Sequence, residues 1–229
     1  MERLLYVHGS GATQDSFQAQ VDAFPGSDAL SLPGHPKGEA LTSVGELADW
    51  LEKYIRWTGL RRAVVAGNSL GGAIALEWAL RYPADVGGLI LIGTGARLRV
   101  SPEIFDMLDN QWPQCIDKFA DWELTKTAPA DLRARFKQWH SLVGQKNTRL
   151  DFATCSSFDV MDRLAEIEAP TLIIVGTQDE MTPVKYSRYL HDHIKGSVLL
   201  EVDGAGHLVM AERPEPVNAA IKNFLARLA

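Results

Sequence analysis

Six short apolar runs recur along the chain, and most of them end in glycine or in a polar turn. They lie at 4–7, 29–32, 63–66, 88–92, 170–175 and 197–202. Uninterrupted apolar runs of this length are typical of strands that are buried on both faces of a parallel sheet. We therefore predict six strands.

Stretches with helical periodicity separate these runs. Ser43 and Glu46 have the spacing of a capping box, and the residues after them place apolar side chains on one face of a helix. Further helices are predicted at 15–24, 70–82, 183–193 and from Pro214 to near the end of the chain. This alternation predicts an α/β fold, with a mostly parallel sheet of about six strands and helices on both faces.

The alternation stops between about residues 97 and 158. This segment has no clear strand pattern, shows helical patterns at 102–108 and 131–142, and carries eight of the 19 aromatic residues. We predict that 97–158 is a helical cap inserted into a core domain formed by 1–96 and 159–229. Most of its aromatic side chains are expected to hold the cap helices together. Because pockets are mostly apolar, some should face a substrate, and we assign this role to Trp112, Trp122 and Trp139.

Composition and charge narrow the classes of function. The formal charge of −6, with no run of Lys and Arg longer than the pair Arg61-Arg62, gives no basis for nucleic-acid binding. No apolar stretch approaches the roughly 18–20 residues of a membrane span, and the first residues lead directly into a strand pattern without a signal peptide. Two cysteines are too few for a disulfide scaffold. We expect a cytoplasmic monomer or homodimer with neither nucleic acid nor membrane as a partner.

One turn stands out as a candidate site. Gly67, Ser69 and Gly71 lie between a predicted strand and a predicted helix. A Gly-x-Ser-x-Gly sequence in this context is typical of a nucleophile elbow, a sharp turn that exposes a serine hydroxyl above the edge of a sheet. Glycines are needed there because strand and helix pass too close for a Cβ. We predict that Ser69 is a nucleophile.

A serine nucleophile needs a base and an acid that orients the base. Asp179 follows the fifth predicted strand, and His207 follows the sixth. The carboxyl ends of parallel strands meet at one edge of a sheet, so both residues should approach Ser69. Glu180 competes with Asp179 for the role of the acid, but we favour Asp179 because it comes first after the strand and its glycine. The order Ser, Asp, His is that of α/β-hydrolases.

The first loop supplies the remaining part of the site. A tetrahedral intermediate requires N–H donors for its oxyanion, and we predict the backbone N–H groups of Leu70 and Ser10, with Gly9 beside the substrate. The glycines at 9 and 11 do not form a dinucleotide fingerprint, because Gln14 stands where a third glycine is needed. His8 is expected to shape this loop.

The remaining histidines suggest no further site. His191 and His193 are two apart on a predicted helix and suit no metal pair, whereas His35 and His140 are expected at the surface or in the cap. We predict neither a metal nor an organic cofactor.

Five motifs together resemble the landmarks of the α/β-hydrolase superfamily, in the family's order and over nearly the whole chain. They are His8-Gly9-Ser10-Gly11, Leu32-Pro33-Gly34-His35, Gly67 to Gly72, Gly176 to Asp179 and Gly204 to His207. The resemblance is to compact capped bacterial esterases, whose relatives include C–C bond hydrolases and enol-lactonases. It implies that two N-terminal strands of the family sheet are missing, which leaves the strand at 29–32 near an edge.

The expected function is hydrolysis of a small carboxylic ester through an acyl-enzyme. Ser69 is the nucleophile, His207 the base and acid, and Asp179 the orienting carboxylate. The same residues could instead cleave a C–C bond, a lactone or a thioester. A non-catalytic ligand-binding protein on this scaffold is a further alternative, which the intact Ser, Asp and His set disfavours. A nucleotide-binding α/β protein is disfavoured because no glycine-rich phosphate loop with a lysine is present.

Overall fold

The computed structural model describes residues 4–228. The first three residues, which enter the argument against a signal peptide, lie outside the described residues, as does Ala229. Within residues 4–228 the strands are β1 (Leu4–Val7), β2 (Asp28–Leu30), β3 (Ala63–Asn68), β4 (Val86–Ile92), β5 (Thr171–Gly176) and β6 (Val198–Val202). The six predicted strands are therefore confirmed, with shifts of a few residues at their ends.

These strands form one parallel sheet in the order β2-β1-β3-β4-β5-β6. The strand at 28–30 lies at an edge, as the resemblance to the superfamily implied. The chain runs outward from β1 to β2 and then crosses to β3 on the other side of β1. In open α/β sheets, ligands bind at the carboxyl ends of the strands beside such a reversal of direction.

Nine α-helices are described between residues 4 and 228. They are α1 (Gln18–Ala23), α2 (Val44–Trp57), α3 (Leu70–Arg81), α4 (Pro102–Asn110), α5 (Cys115–Glu123), α6 (Ala130–Ser156), α7 (Val184–His193), α8 (Val209–Glu212) and α9 (Pro214–Leu225). The capping box of α2 is confirmed, since the backbone N–H of Glu46 donates to the Ser43 hydroxyl over 3.2 Å. Helices α5 and α8 were not predicted. Helix α6 is longer than its pattern indicated and is interrupted at Gly144, whose φ is 80°.

The side chains of the central strands alternate between two hydrophobic cores. On one face of the sheet, Leu5, Val65 and Leu89 pack with helices α2, α3 and α7. On the other face, Tyr6 and Val64 pack with α9 and with helices of the segment 97–158. Because the side chains of a strand point to opposite faces in turn, the uninterrupted apolar runs fill both cores at once.

The segment 97–158 leaves the sheet after β4 and returns before β5. At its base the backbone N–H of Val160 donates to the carbonyl of Ala96 over 2.8 Å, and Arg97 pairs with Asp159. Helices α4, α5 and α6 lie inside the segment, and the described residues place no strand of the sheet there. The division into a core and a cap stays a prediction. We call residues 97–158 the predicted cap.

Because α3 lies in close contact with β1, we predict that adding one methyl group at Gly71 strongly destabilises the fold. In Gly71→Ala, the new Cβ would overlap the carbonyl oxygen of Val7 and would lie 2.8 Å from that of His8. Backbone atoms of a central strand cannot move away cheaply, so we expect a loss of roughly 3 kcal/mol or more in the free energy of unfolding. Urea unfolding followed by circular dichroism measures it.

Gly45→Ala in helix α2 is the matched control. Its Cβ would meet only the end of the Arg81 side chain, an exposed guanidinium that can shift while it stays paired with Glu77 and Asp49. Since alanine favours a helix over glycine by about 1 kcal/mol, this variant should be as stable as the parent or more stable. Equal unfolding midpoints for the two variants would contradict the close packing at Gly71.

Candidate active site

Ser69 occupies the turn between β3 and α3 in a strained conformation. Its φ is 53° and its ψ is −114°, a region that residues with a side chain rarely adopt. The turn is held by the two glycines around it, because a Cβ at Gly67 would overlap the carbonyl of Gly71, and one at Gly71 would overlap that of Val7. The structure thus has the geometry of a nucleophile elbow at the position predicted from the sequence.

The backbone of Ser69 is fixed, whereas its hydroxyl faces open space. The backbone N–H donates to the carbonyl of Ile92 over 3.0 Å, and the Thr94 hydroxyl donates to the carbonyl of Ser69 over 2.8 Å. The Ser69 side chain makes no hydrogen bond to any described residue and lines a cavity of ≈ 270 Å³. A serine that is rigid at the backbone and free at the hydroxyl can meet a ligand in that cavity.

Asp179 and His207 form a buried pair. The distance from His207 Nδ1 to Asp179 Oδ2 is 2.9 Å, and Asp179 is only 5% exposed. Thr182 holds the same carboxylate, donating from its N–H to Oδ1 over 2.7 Å and from its hydroxyl to Oδ2 over 2.8 Å. A carboxylate oxygen accepts, so Nδ1 carries a proton and Nε2 is left as the nitrogen that can take one.

The same edge of the sheet brings this pair to the turn. Asn68, directly before Ser69, donates from Nδ2 to the carbonyls of Ile92 (3.2 Å) and His207 (3.3 Å). A Cβ built at Gly93, after β4, would lie 3.1 Å from the carbonyl of His207 and 3.2 Å from Asp179 Oδ2. The loops after β3, β4, β5 and β6 therefore meet at one point. Glu180, the alternative acid, is exposed, and the hydrogen bonds of His207 Nδ1 go to Asp179 and Thr182 instead.

The charges around His207 favour its protonated form. Burial alone would lower the pKa of this imidazole, but the charge and hydrogen bond of Asp179 raise it above its ordinary value. The carboxylates of Glu123 and Glu212 add to this increase. A base with a raised pKa is free to accept a proton only at pH values above that pKa, so these carboxylates determine the pH range in which His207 can act.

The predicted oxyanion donors lie beside Ser69. Leu70 is the first residue of α3, where backbone N–H groups have no partner within the helix. Ser10 lines the same cavity as Ser69, and its N–H has no acceptor among the described residues. A Cβ built at Gly9 would lie 3.2 Å from that of Ser69, so the first loop touches the turn. The two N–H groups are available to an oxygen bound there.

The cavity beside Ser69 is mostly apolar. Its apolar lining comes from Leu98, Val100, Ile104, Trp122, Phe152 and Met181. Trp122 thus lies where the sequence analysis placed it. The structure does not bring Trp112 and Trp139 to this cavity: Trp139 lies in the core and is only 2% exposed, and Trp112 is half-buried against the same core. Composition predicts an aromatic segment but does not reveal which rings turn inward.

Sequence reasoning missed Glu123, the last residue of α5. Its carbonyl accepts from the N–H of His207 over 2.9 Å, and its side chain is buried with no hydrogen bond to a described residue. Burial raises the pKa of this carboxyl to about 7. The nearby His207 acts to lower this pKa, and the charge of Asp179 acts to raise it further. Helix α5 itself was not predicted, so no sequence signal singled out this residue.

The expectation that His35 lies at the surface or in the cap was wrong. His35 is only 2% exposed, and its Nε2 lies 2.8 Å from Oδ2 of Asp151 in helix α6, a residue that the sequence analysis did not single out. Burial alone would lower the pKa of His35, but the hydrogen bond and charge of Asp151 raise it. His140 does lie in α6 and is fully buried, and burial lowers its pKa to about 4.

A metal site, a membrane-spanning helix and a disulfide are all absent from residues 4–228. No group of three or more His, Cys, Asp or Glu side chains in this range could hold a metal ion. No helix in the same range is both long enough and apolar enough to cross a membrane. Both cysteines, Cys115 and Cys155, are buried and free.

Comparisons with known proteins agree with this fold. A family model described as "Alpha/beta hydrolase family" matches residues 4–220. A solved structure titled "Structure of a thermophilic esterase" superposes with a TM-score of 0.92 at 32% identity, covering 100% of this chain and 91% of that one.

Two curated relatives carry more specific names. A pimeloyl-[acyl-carrier protein] methyl ester esterase of Neisseria meningitidis is 26% identical, and the match covers 98% of this chain and 94% of that protein. A 2-hydroxy-6-oxononadienedioate/2-hydroxy-6-oxononatrienedioate hydrolase of Burkholderia vietnamiensis is 27% identical over 99% of this chain and 88% of that protein. The similar proteins thus include esterases and a hydrolase of another class of substrate.

The buried carboxyl of Glu123 predicts a shift in pH dependence. Glu123→Gln removes a carboxyl that is negatively charged only above its pKa of about 7, so in that range the pKa of His207 should fall toward its ordinary value. The acid limb of the kcat/KM profile for an ester should then move to lower pH, by up to about 0.5 unit, because the carboxyl is only partly ionised near its own pKa. Rates with a nitrophenyl ester between pH 5 and 9 measure the shift.

Asp121→Asn is the control for this experiment. It removes one carboxylate from the same helix α5, but Asp121 is exposed and pairs with Arg133. Its profile should match that of the parent. An unmoved acid limb in Glu123→Gln, or a move to higher pH, would show that Glu123 does not act on His207.

Proposed function

The chain belongs to the alpha/beta hydrolase family, and on that basis we propose that it is a serine hydrolase that cleaves small carboxylic esters. The observation that carries the proposal is the buried hydrogen bond from His207 Nδ1 to Asp179, next to a strained serine that lines a cavity. Strain at a serine and a held histidine tautomer are features that catalysis uses and that folding alone does not require.

Acylation begins with the free nitrogen of His207. Nε2 accepts the proton of Ser69 as the hydroxyl oxygen attacks the ester carbonyl, and Asp179 stabilises the imidazolium that forms. The hydroxyl has no competing hydrogen bond among the described residues, so it is available to donate. In unliganded active sites the distance from the nucleophile to its base, here from Ser69 Oγ to His207 Nε2, is commonly longer than a hydrogen bond. It shortens when substrate binds.

The negative charge of the tetrahedral intermediate falls on the former carbonyl oxygen. We assign its stabilisation to the N–H groups of Leu70 and Ser10, which have no acceptor in residues 4–228. Because the N-terminus of α3 carries a partial positive charge, the helix supports the same oxyanion. Such donors are already in place before the reaction, which is why they lower the barrier.

The intermediate collapses when His207 returns its proton to the leaving alcohol. This leaves an acyl group on Ser69, and a water molecule then takes the place of the alcohol. His207 removes a proton from that water, the second tetrahedral intermediate forms and breaks, and the acid is released. Each step uses the same three side chains, so no metal or organic cofactor enters the scheme.

The cavity supports a small, largely apolar acyl or aryl group. Its volume of ≈ 270 Å³ lies at the lower end of ligand pockets, and its lining includes Trp122, Phe152 and Met181. The relative named as a methyl ester esterase is consistent with a short alcohol as the leaving group, and we carry this feature over as part of the proposal.

Cleavage of a C–C bond is the second candidate. One relative is named as a hydrolase of a keto-dicarboxylate, and the substrate in that name is not an ester. The same nucleophile or base and the same oxyanion donors would serve this reaction. Parallel assays with nitrophenyl esters and with that keto-dicarboxylate distinguish the two candidates, since the ester should be the better substrate by kcat/KM.

The proposal predicts that activity depends on one hydroxyl. Purified protein should hydrolyse short- to medium-chain nitrophenyl esters, and Ser69→Ala should lower kcat by roughly a thousandfold or more because no acyl-enzyme can form. Ser141→Ala, which removes an exposed hydroxyl from α6, should keep the parent rate. Circular dichroism confirms that both variants fold. Equal rates for the parent and Ser69→Ala would refute the proposal.

A further inference from the structure

Helix α6 of the predicted cap reaches the loop that supplies the Ser10 donor. The backbone N–H of Gly11 donates to Oδ2 of Asp151 over 2.8 Å, although the two residues are 140 positions apart. Asp151 is only 5% exposed. A buried carboxylate that accepts a backbone N–H forms a strong, charge-assisted hydrogen bond, which fixes the orientation of that peptide group.

The same oxygen of Asp151 is held by His35. Nε2 of His35 lies 2.8 Å from Oδ2, and Nδ1 lies 3.2 Å from the carbonyl of Pro33. A carboxylate and a carbonyl oxygen both accept, so both ring nitrogens of His35 donate and the imidazole carries a positive charge. Asp151 therefore has a buried cationic partner that holds its carboxylate in place.

A second histidine fixes the preceding peptide group. His8 Nε2 accepts from the N–H of Leu32 over 3.1 Å, so Nδ1 carries the proton and donates to the carbonyl of Gly9 over 2.9 Å. Burial and the neighbouring charge of His35 lower the pKa of His8 to about 3, which keeps it neutral. This hydrogen bond fixes the direction of the Gly9 carbonyl.

These two hydrogen bonds determine where the Ser10 N–H points. The carbonyl of Gly9 and the N–H of Ser10 belong to one planar trans peptide, so a fixed carbonyl sets the N–H in the opposite direction. The next peptide contains the Gly11 N–H, which Asp151 holds. Both peptide planes that meet at the Cα of Ser10 are therefore constrained, one from the core and one from the predicted cap.

We propose that Asp151 is a positioning residue for catalysis, which orients the Ser10 N–H toward the oxyanion by holding the Gly11 peptide, with His35 as its anchor. This inference rests on the proposed function, because it needs Ser10 to act as an oxyanion donor. It gives the predicted cap a part in stabilising the transition state, in addition to shaping the cavity.

Asp151→Asn tests the proposal. The side chain keeps its shape but loses the charge that binds His35 and strengthens the Gly11 hydrogen bond. We expect kcat to fall by about 10- to 100-fold with KM changed by less than about threefold, because an oxyanion donor acts mainly in the transition state. The affinity for a trifluoromethyl ketone, which forms a tetrahedral adduct with a serine, should fall by a similar factor.

Asp109→Asn is the matched control in the same predicted cap. Asp109 in α4 pairs with Arg149 in α6, its side chain is 45% exposed, and it makes no contact with the first loop. It should retain the parent kcat and the parent affinity for the ketone. This control separates a loss of charge in the predicted cap from a loss of the Gly11 contact.

His35→Gln is the second variant, in case Asp151→Asn does not fold. Glutamine can still donate an N–H to Asp151 but carries no charge, so kcat should fall by less, again with little change in KM. If either folded variant keeps the parent kcat and ketone affinity, or shows a changed KM with the parent kcat, Asp151 does not position the Ser10 N–H. A parent protein that hydrolyses no ester would instead refute the proposed function.

Discussion

The close approach of three backbone segments is the constraint on which the rest of the site depends. Helix α3 starts so near to β3 and β1 that neither Gly67 nor Gly71 has room for a Cβ. The chain can make this approach only through a sharp turn, and Ser69 accepts a positive φ within it. The energy of that strain is offset by the surrounding sheet, in which β3 and β4 are buried along their whole length.

Around this turn, the predicted cap adds buried carboxyl groups to those that the loops of the sheet supply. Glu123 at the end of α5 accepts from the backbone of His207, and Asp151 in α6 accepts from Gly11 of the first loop. Both carboxyls are buried, where charges interact more strongly than in water. His207 and the loop of the predicted oxyanion donor are therefore each in contact with the segment 97–158.

The sequence predicted those features that short-range physics determines. Apolar runs indicated the six strands, glycine spacing indicated the turn at Ser69, and the order of strands indicated where Asp179 and His207 would meet. It did not predict the partners that only tertiary packing brings together. Nothing in the sequence around His35 predicts its contact with Asp151, a carboxylate 116 positions away. Trp139 lies in the same aromatic-rich segment as Trp122, yet it is buried in the core. Such contacts depend on how α5 and α6 pack, and a local sequence pattern does not predict that packing.

We propose that Ser69 is a nucleophile activated by His207. Reaction with a fluorophosphonate, followed by proteolysis and mass spectrometry, tests it most directly, because this reagent forms a stable covalent adduct only with an activated serine. We expect one adduct, on the peptide that contains Ser69, and loss of ester hydrolysis in proportion to labelling. An adduct on another serine, or full hydrolytic activity with no adduct at Ser69, would contradict it.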